Sequence, residues 1–203
     1  MSVNPYKVVE IFEEAVAEYA GSKYAVAVES CTSAIFLSLK WVNVSGLYVS
    51  IPKHTYPGVP CSIIHAGAKV CFDERDWRGV YTLDPFGIVD GALRFKKGMY
   101  ITETFHCLSF HVKKALPIGR GGMILTDNFE AVKWLRKARF DGRNPVPLSE
   151  DSFDMLGWNA YMQPSDAARG LQLLQALGDK ELPDLEVEKQ GYPDLSTFKI
   201  YTQ

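Results

Sequence analysis

The hydrophobic pattern of the chain alternates between helix-like and strand-like stretches. Residues 6–20 repeat apolar side chains at helical spacing, and Gly21 follows where a helix commonly ends. Residues 34–41, 58–66 and 129–140 predict further helices, and apolar runs at 24–28, 47–51, 69–73, 100–102, 108–110 and 123–125 predict strands. Strands this uniformly apolar have no solvated face. The pattern therefore predicts an α/β fold with three layers, α-β-α, around a mostly parallel sheet.

The pattern changes near residue 178. Residues 1–178 read as one α/β core, whereas residues 179–203 are polar, contain Pro183 and Pro193, and show no periodicity. We expect this C-terminal tail to be extended, either packed on a neighbour or partly disordered.

Composition and charge exclude several classes of protein. The 203 residues are 47% hydrophobic and 23% charged, with a net charge of −2, which gives no reason to expect nucleic acid as a partner. No apolar run reaches the roughly 18 residues that span a bilayer, and the N-terminus lacks a signal-peptide core. Four scattered cysteines without a C-x-x-C pair argue against a zinc site or disulfide framework. We therefore expect a cytoplasmic protein without a metal or membrane partner.

A lysine pair before a glycine-rich turn is the most chemically suggestive stretch. Lys113 and Lys114 follow a strand end, and three glycines precede the apolar run at 123–125. Burial would lower the pKa of such a lysine and make its amine a nucleophile toward a carbonyl. A solvated loop is the commoner use of two adjacent lysines, and the residues alone leave both interpretations open.

Three other polar positions follow predicted strands. Residues 29–33 open a helix with hydroxyl side chains that could bind an anion at its N-terminus, although simple N-capping explains them equally well. Tyr56 lies in a proline-bounded turn, and Asp90 precedes a glycine as many turn aspartates do. Because ligands in open α/β sheets bind at the carboxyl ends of strands, we expect these positions to share one site.

The spacing Ser109-Phe110-His111-x-x-Lys114, followed by Gly119-x-Gly121-Gly122, resembles the cofactor-lysine segment of the DegT/StrS family. These are pyridoxal-phosphate-dependent sugar aminotransferases of fold type I. The resemblance covers roughly residues 8–178 and implies a trimmed form of that family's large domain, without the C-terminal small domain. It selects Lys114, five residues after the serine, as the lysine that forms a Schiff base with pyridoxal 5'-phosphate.

The same resemblance implies roles for further residues. Asp90 would pair with the pyridine nitrogen and act in catalysis with Lys114, and Tyr56 would stack on the ring. The phosphate would be held by Thr32, Ser33 and Ser109, and by Asn159 of a neighbouring subunit. A homodimer with shared active sites follows from that last assignment.

The chain departs from the family pattern at three places. Cys31 and Leu93 stand where the family usually has glycine and Gln or His, and a strand–helix unit before Asp90 is missing. The resemblance implies amino transfer, with glutamate as donor, to a nucleotide-linked keto sugar in sugar-nucleotide biosynthesis. A truncated, non-catalytic cofactor-binding or scaffold homologue is the alternative. A sugar dehydratase of the same fold is a third possibility, and Lys114 argues against it, since dehydratases typically carry histidine there.

Overall fold

The structure, a computed structural model, describes residues 4–202 and contains five α-helices and seven strands within that range. The helices are α1 Lys7–Ala20, α2 Cys31–Trp41, α3 Gly58–His65, α4 Phe129–Ala138 and α5 Pro164–Leu177. The strands are β1 Tyr24–Val28, β2 Tyr48–Pro52, β3 Lys69–Asp73, β4 Tyr81–Leu83, β5 Ile88–Asp90, β6 Phe105–Ser109 and β7 Gly122–Thr126.

Five strands form a mixed sheet in the order β1-β7-β6-β5-β4, and β2 pairs with β3 in a second, two-stranded sheet. The pairs β5–β6 and β2–β3 are parallel, whereas β1–β7, β7–β6 and β5–β4 are antiparallel. This corrects the expectation of a mostly parallel sheet. Only residues 84–87 separate β4 from β5, and a parallel crossover needs about a dozen residues or more, so these strands form a hairpin.

Alternate residues of the central strands face two different apolar clusters. Val26, Cys107 and Ile124 pack with α2, α3 and α4, whereas Ala27, Leu108 and Met123 pack with α1 and α5. Both faces of the sheet are therefore covered by helices. The three-layer α/β class predicted from the hydrophobic pattern is confirmed.

The free edge of β1 is covered by side chains rather than by another strand. Glu13 of α1 is 1% exposed and accepts a 2.8 Å hydrogen bond from the Ala27 N–H. Its carboxylate also pairs with Arg136 and Arg139, and Arg139 donates to the Ala27 carbonyl. Buried charge is tolerated here because both carboxylate oxygens have cationic partners. The apolar pattern of α1 gave no indication of this cluster.

Residues 100–102 do not form the strand that their sequence predicts. The Tyr100 N–H bonds to the carbonyl of Ala20, and the Gly98 N–H bonds to that of Tyr19, so this stretch closes the end of α1. Glu103, with φ of 62°, then turns the chain into β6. The strand begins at Phe105, three residues before the predicted start at Leu108.

Residues 182–202, which we term the C-terminal segment, contain three short 3-10 helices and pack on the core of their own chain. The Leu185 N–H donates to Leu93, the Leu195 N–H donates to Lys53, and the Leu195 side chain is 2% exposed. The division of the chain into residues 1–178 and 179–203 stays a prediction.

Candidate functional site

A cavity of about 420 Å³ opens where β5 and β6 end, beside the first turn of α2. Five of the seven residues predicted for a site line it: Thr32, Tyr56, Asp90, Ser109 and Lys114. They come from four separate stretches of sequence. The fold therefore brings together the candidate positions that follow predicted strands.

Asp90, the last residue of β5, is the buried acid of the cavity. Its side chain is 4% exposed, and Oδ1 accepts a 2.9 Å bond from the Ala92 N–H while Oδ2 accepts a 3.0 Å bond from the Tyr81 hydroxyl. Burial raises the pKa of Asp90 above its ordinary value; the Ala92 and Tyr81 hydrogen bonds and the Lys114 charge oppose that rise. The Cys31 thiol donates a third, longer bond of 3.9 Å to Oδ1, so the site holds a desolvated carboxylate that is supported by three donors.

Lys114 lies in the loop between β6 and β7. Burial lowers the pKa of its amine, and the negative charge of Asp90 partly opposes this effect. Among the residues that the structure describes, no carboxylate lies within 4.0 Å of this amine. A partly buried amine without an ion pair is more readily deprotonated than a surface lysine.

The backbone of the loop between β6 and β7, which carries Lys114, packs closely against the start of α2. A Cβ built on Gly122 would lie 2.3 Å from the carbonyl carbon of Ser30, and one built on Gly121, where φ is +159°, would lie 2.9 Å from Met162 Cε. The loop is closed by bonds from Phe110 N–H to Gly121 and from Val112 N–H to Gly119. Glycine is needed at 122 because any side chain there would displace the α2 N-terminus.

The first turn of α2 presents backbone donors toward the cavity. Ser30 is the N-cap and accepts a 3.1 Å bond from the Ser33 N–H. Because the first N–H groups of a helix lack internal acceptors, those of Cys31 and Thr32 are available to an anion. Arg120, also at the cavity, pairs with Glu29 at 2.7 Å beside this turn.

Tyr56 also lines the cavity, close to Thr32 of this turn, and its side chain is 56% exposed. A Cβ on Gly58 would lie 2.8 Å from the Tyr56 ring and 2.9 Å from the Thr32 hydroxyl. The absence of a side chain at Gly58 lets these two groups share one rim of the cavity.

Two predicted residues do not line the cavity. The Ser33 hydroxyl lies 2.9 Å from that of Ser30 and donates to Glu29, so it belongs to the helix cap. Asn159 is exposed and donates a 3.0 Å bond to Asp141. Their assignments as phosphate ligands stay predictions.

Several residues of the cavity were missed by the sequence reasoning. Thr55, Trp77, Gln190 and Tyr192 line it, and Tyr81 lies directly behind Asp90. Thr55 directly precedes Tyr56 in the sequence, whereas Tyr81 reaches Asp90 through its register opposite that residue in the hairpin. Nothing in the polar C-terminal segment indicated that Gln190 and Tyr192 would reach the site.

The C-terminal segment is fixed on both sides of the cavity. Asp184 receives 2.9 Å and 2.7 Å bonds from Arg94 and lies 3.1 Å from the Lys96 amine. Farther along, Asp194 pairs with Lys53 at 3.1 Å. Tyr192 lies between these anchors, and its ring is parallel to that of Trp77 at 6.3 Å. Charge pairs thus hold part of the cavity wall in place.

Two further features of residues 4–202 bear on the kind of site. No helix there is long and apolar enough to cross a membrane. No group of three or more His, Cys, Asp or Glu side chains in the same range is arranged to hold a metal ion.

Known proteins resemble the chain over most of its length. The family model of the DegT/DnrJ/EryC1/StrS aminotransferase family matches residues 2–85 and 97–181. The spore coat polysaccharide biosynthesis protein SpsC of Bacillus subtilis is 26% identical over 85% of this chain and 58% of its own length. A Campylobacter jejuni UDP-4-amino-4,6-dideoxy-N-acetyl-beta-L-altrosamine transaminase is 26% identical over 96% of this chain and 65% of its own.

A solved structure agrees with these sequence relatives in fold. A Bacillus cereus protein assigned as a PLP-dependent aminotransferase superposes with a TM-score of 0.73 at 19% identity, over 86% of this chain and 60% of that one. The chain therefore spans about three-fifths of the length of the proteins it matches. Residues 86–96, which include β5 and Asp90, fall between the two matched parts of the family model. The matched residues make up most of the chain, and the chain belongs to the DegT/DnrJ/EryC1/StrS aminotransferase family.

Proposed function

We propose that the chain is a pyridoxal-phosphate-dependent aminotransferase that transfers an amino group, with glutamate as the donor, to a nucleotide-linked keto sugar. One observation carries the proposal: the Lys114 amine and the Asp90 carboxylate line the same cavity, beside the open first turn of α2. The cofactor has an aldehyde, a ring nitrogen and a phosphate. The lysine would bind the aldehyde, the acid would pair with the ring nitrogen, and the helix N-terminus would hold the phosphate.

The residues present fit that cofactor. A cavity of about 420 Å³ falls in the usual range for a small-molecule site. Thr32 and Ser109 offer hydroxyl groups near the α2 N-terminus, whose dipole favours a phosphate. Asp90 offers a desolvated carboxylate for a protonated ring nitrogen, and Tyr56 offers a ring face. Bound pyridoxal phosphate supplies an aldehyde that condenses with amines and a pyridinium ring that withdraws electrons.

Lys114 carries the proton transfers of the proposed reaction. Only the neutral amine attacks a carbonyl, and burial favours that form by lowering the pKa of Lys114. The same amine would accept the proton from the Cα of the donor amino acid and would return it as the amino group is transferred. Asp90 would hold a protonated ring nitrogen of the cofactor.

The substrates are inferred from the relatives. The Campylobacter jejuni relative is named as a transaminase of a UDP-linked amino sugar, and the Bacillus subtilis relative as a protein of polysaccharide biosynthesis. Arg120 lines the cavity with 69% of its side chain exposed and would suit an anionic substrate group. Glutamate as donor rests on the family resemblance.

A second subunit completes the proposed site. Asn159 does not line the cavity of its own chain and is exposed, which supports the proposal that it serves the site of a partner. The resulting assembly is a homodimer with shared active sites.

A second candidate function is supported by Leu93. The family resemblance places Gln or His at this position, and the leucine is 1% exposed and buried in the fold. In this alternative, the protein binds pyridoxal phosphate without transferring an amino group, as a non-catalytic or scaffold homologue.

Absorption spectroscopy tests both candidates. Adding pyridoxal phosphate should produce a new visible band that Lys114→Ala abolishes and Lys113→Ala, its matched control, retains. Glutamate should then move the band to shorter wavelength if the protein is an aminotransferase, and should leave it unchanged in the non-catalytic alternative. Absence of any band with the unaltered protein would refute both.

A further inference from the structure

Three buried polar residues form a hydrogen-bonded line that ends on Asp90. Thr55 Oγ1 lies 2.6 Å from the Tyr81 hydroxyl, which lies 3.0 Å from Asp90 Oδ2. The three side chains are 1%, 5% and 4% exposed, in that order. Burying such a chain of hydrogen-bonded side chains costs free energy, because each polar group loses its water on folding, so its presence calls for an explanation.

The donors in this line can be assigned. The Asp90 oxygens receive the Ala92 N–H, the Tyr81 O–H and, at 3.9 Å, the Cys31 thiol. These donors favour the ionised carboxylate, which only accepts hydrogen bonds. Tyr81 has one hydroxyl proton, so Thr55 is the donor in the contact between the two hydroxyls. Both hydroxyl dipoles therefore point toward the negative charge.

The short connection between β4 and β5 brings Tyr81 next to Asp90. Tyr81 and Asp90 are directly paired residues of the antiparallel hairpin, so their side chains share one face of the sheet. Residues 86–96 lie outside the parts of the chain that the family model matches. Tyr81 lies within the matched residues and Asp90 outside them, so the match to the family does not itself indicate this contact.

We propose that Tyr81 is a positioning residue for Asp90: held by Thr55, its hydroxyl fixes the carboxylate and keeps it ionised for a cationic ring nitrogen. The part of this inference that concerns the ring nitrogen rests on the proposed function. The effect of Tyr81 on Asp90 itself does not.

The electrostatics agree with this role. Burial raises the pKa of Asp90, and the Tyr81 hydrogen bond acts in the opposite direction. Burial also raises the pKa of Tyr81 well above its usual value, so the phenol remains a protonated donor. Tyr81 therefore supports ionised Asp90 over the whole neutral range of pH.

The first experiment measures Asp90 without any ligand. Carboxyl carbons of ¹³C-aspartate-labelled protein are titrated by NMR, with the Asp90 signal assigned by its loss in Asp90→Asn. Tyr81→Phe keeps the ring packed on Trp77 and removes only the donor, so the Asp90 midpoint should move to higher pH by about one unit or more. Thr55→Val should produce a smaller move in the same direction. Tyr100→Phe, which removes a hydroxyl bound to the Thr104 carbonyl, should leave the midpoint unchanged.

The second experiment measures binding of pyridoxal phosphate against pH. Asp90 must be ionised to pair with a pyridinium. As the pH falls, Tyr81→Phe should therefore begin to lose affinity for pyridoxal phosphate at a higher pH than the unaltered protein does. Binding of the 1-deaza analogue, which has no ring nitrogen, should change much less.

The outcomes separate the two proposals. An unchanged Asp90 midpoint in Tyr81→Phe overturns the positioning role, as does equal weakening of both ligands at every pH. If Tyr81→Phe fails to fold, an unchanged midpoint in Thr55→Val overturns it instead. A shifted midpoint in a protein that never binds pyridoxal phosphate refutes the proposed function and leaves the action of Tyr81 on Asp90 in place.

Discussion

Replacing Asp184 with asparagine should loosen the C-terminal segment and with it one wall of the candidate site. Asp184 receives two charged hydrogen bonds from Arg94 and a further contact from Lys96. Its side chain is 7% exposed, whereas those of Arg94 and Lys96 are 28% and 38% exposed. Asparagine keeps the shape of the side chain but lacks its negative charge, so the perturbation is almost purely electrostatic.

The magnitude follows from the lowered pKa of Asp184. Its hydrogen bonds with Arg94 are the main cause that lowers its pKa from 3.8 to about 2. At about 1.36 kcal/mol for each pH unit, this difference corresponds to about 2.4 kcal/mol. Solvent around the two cations weakens the interaction, so we expect a loss of about 1–2 kcal/mol. The pKa is lowered on folding, so this contribution is fully present above pH 3.8 and disappears as the pH falls through about 2.

Amide hydrogen exchange at neutral pH measures the loosening. The Leu185 N–H, bonded to the Leu93 carbonyl at 2.9 Å, should exchange about 5–30 times faster in Asp184→Asn. Amides of β7 should keep their protection, because that strand lies within the sheet. Glu186→Gln, two residues away on a half-exposed side chain, is the matched control and should change little. Unchanged exchange at Leu185 in Asp184→Asn would refute the reasoning.

Two other predictions concern buried charge. Glu13→Gln should lower the free energy of unfolding by about 2–4 kcal/mol in denaturant melts, because it leaves Arg136 and Arg139 without their carboxylate. The control Glu14→Gln, at an exposed position, should change it little. Equal effects of the two substitutions would contradict the argument. The rate of reductive methylation of Lys114 by formaldehyde, followed by mass spectrometry, should increase with pH. Its midpoint should lie below pH 10.5, because burial lowers the pKa of the amine. Asp90→Asn should move that midpoint lower still, because Asp90 raises the Lys114 pKa; a higher midpoint would oppose the assigned contact.

The local signals of the sequence were sufficient for most elements. The apolar runs at 24–28 and 69–73 coincide with β1 and β3, and the helical spacing before Gly21 matches α1 to within one residue. Strand directions could not be read in the same way. An apolar run between two helical layers looks identical whether its neighbour is parallel or antiparallel. For β4 and β5 the short connection decided the direction.

The candidate site shows the same division. Lys114, Asp90 and Tyr56 were indicated by their own neighbours in the sequence, and the structure places all three at one cavity. Tyr81 and Tyr192 carry no such local signal. Tyr81 reaches Asp90 through its register in a hairpin. Tyr192 reaches the cavity because its segment is held by ion pairs such as that between Asp184 and Arg94, which are about a hundred residues apart in the sequence.

What the sequence by itself determined is therefore the layered α/β class, the family resemblance and the principal lysine and acid, because periodicity and short motifs are encoded within a few residues. Tertiary structure alone decided the mixed sheet, the buried Glu13 cluster, the support of Asp90 by Tyr81 and the closing of the cavity by the C-terminal segment. These features depend on pairs of residues distant in the chain, whose contact is fixed only when the helices and strands pack.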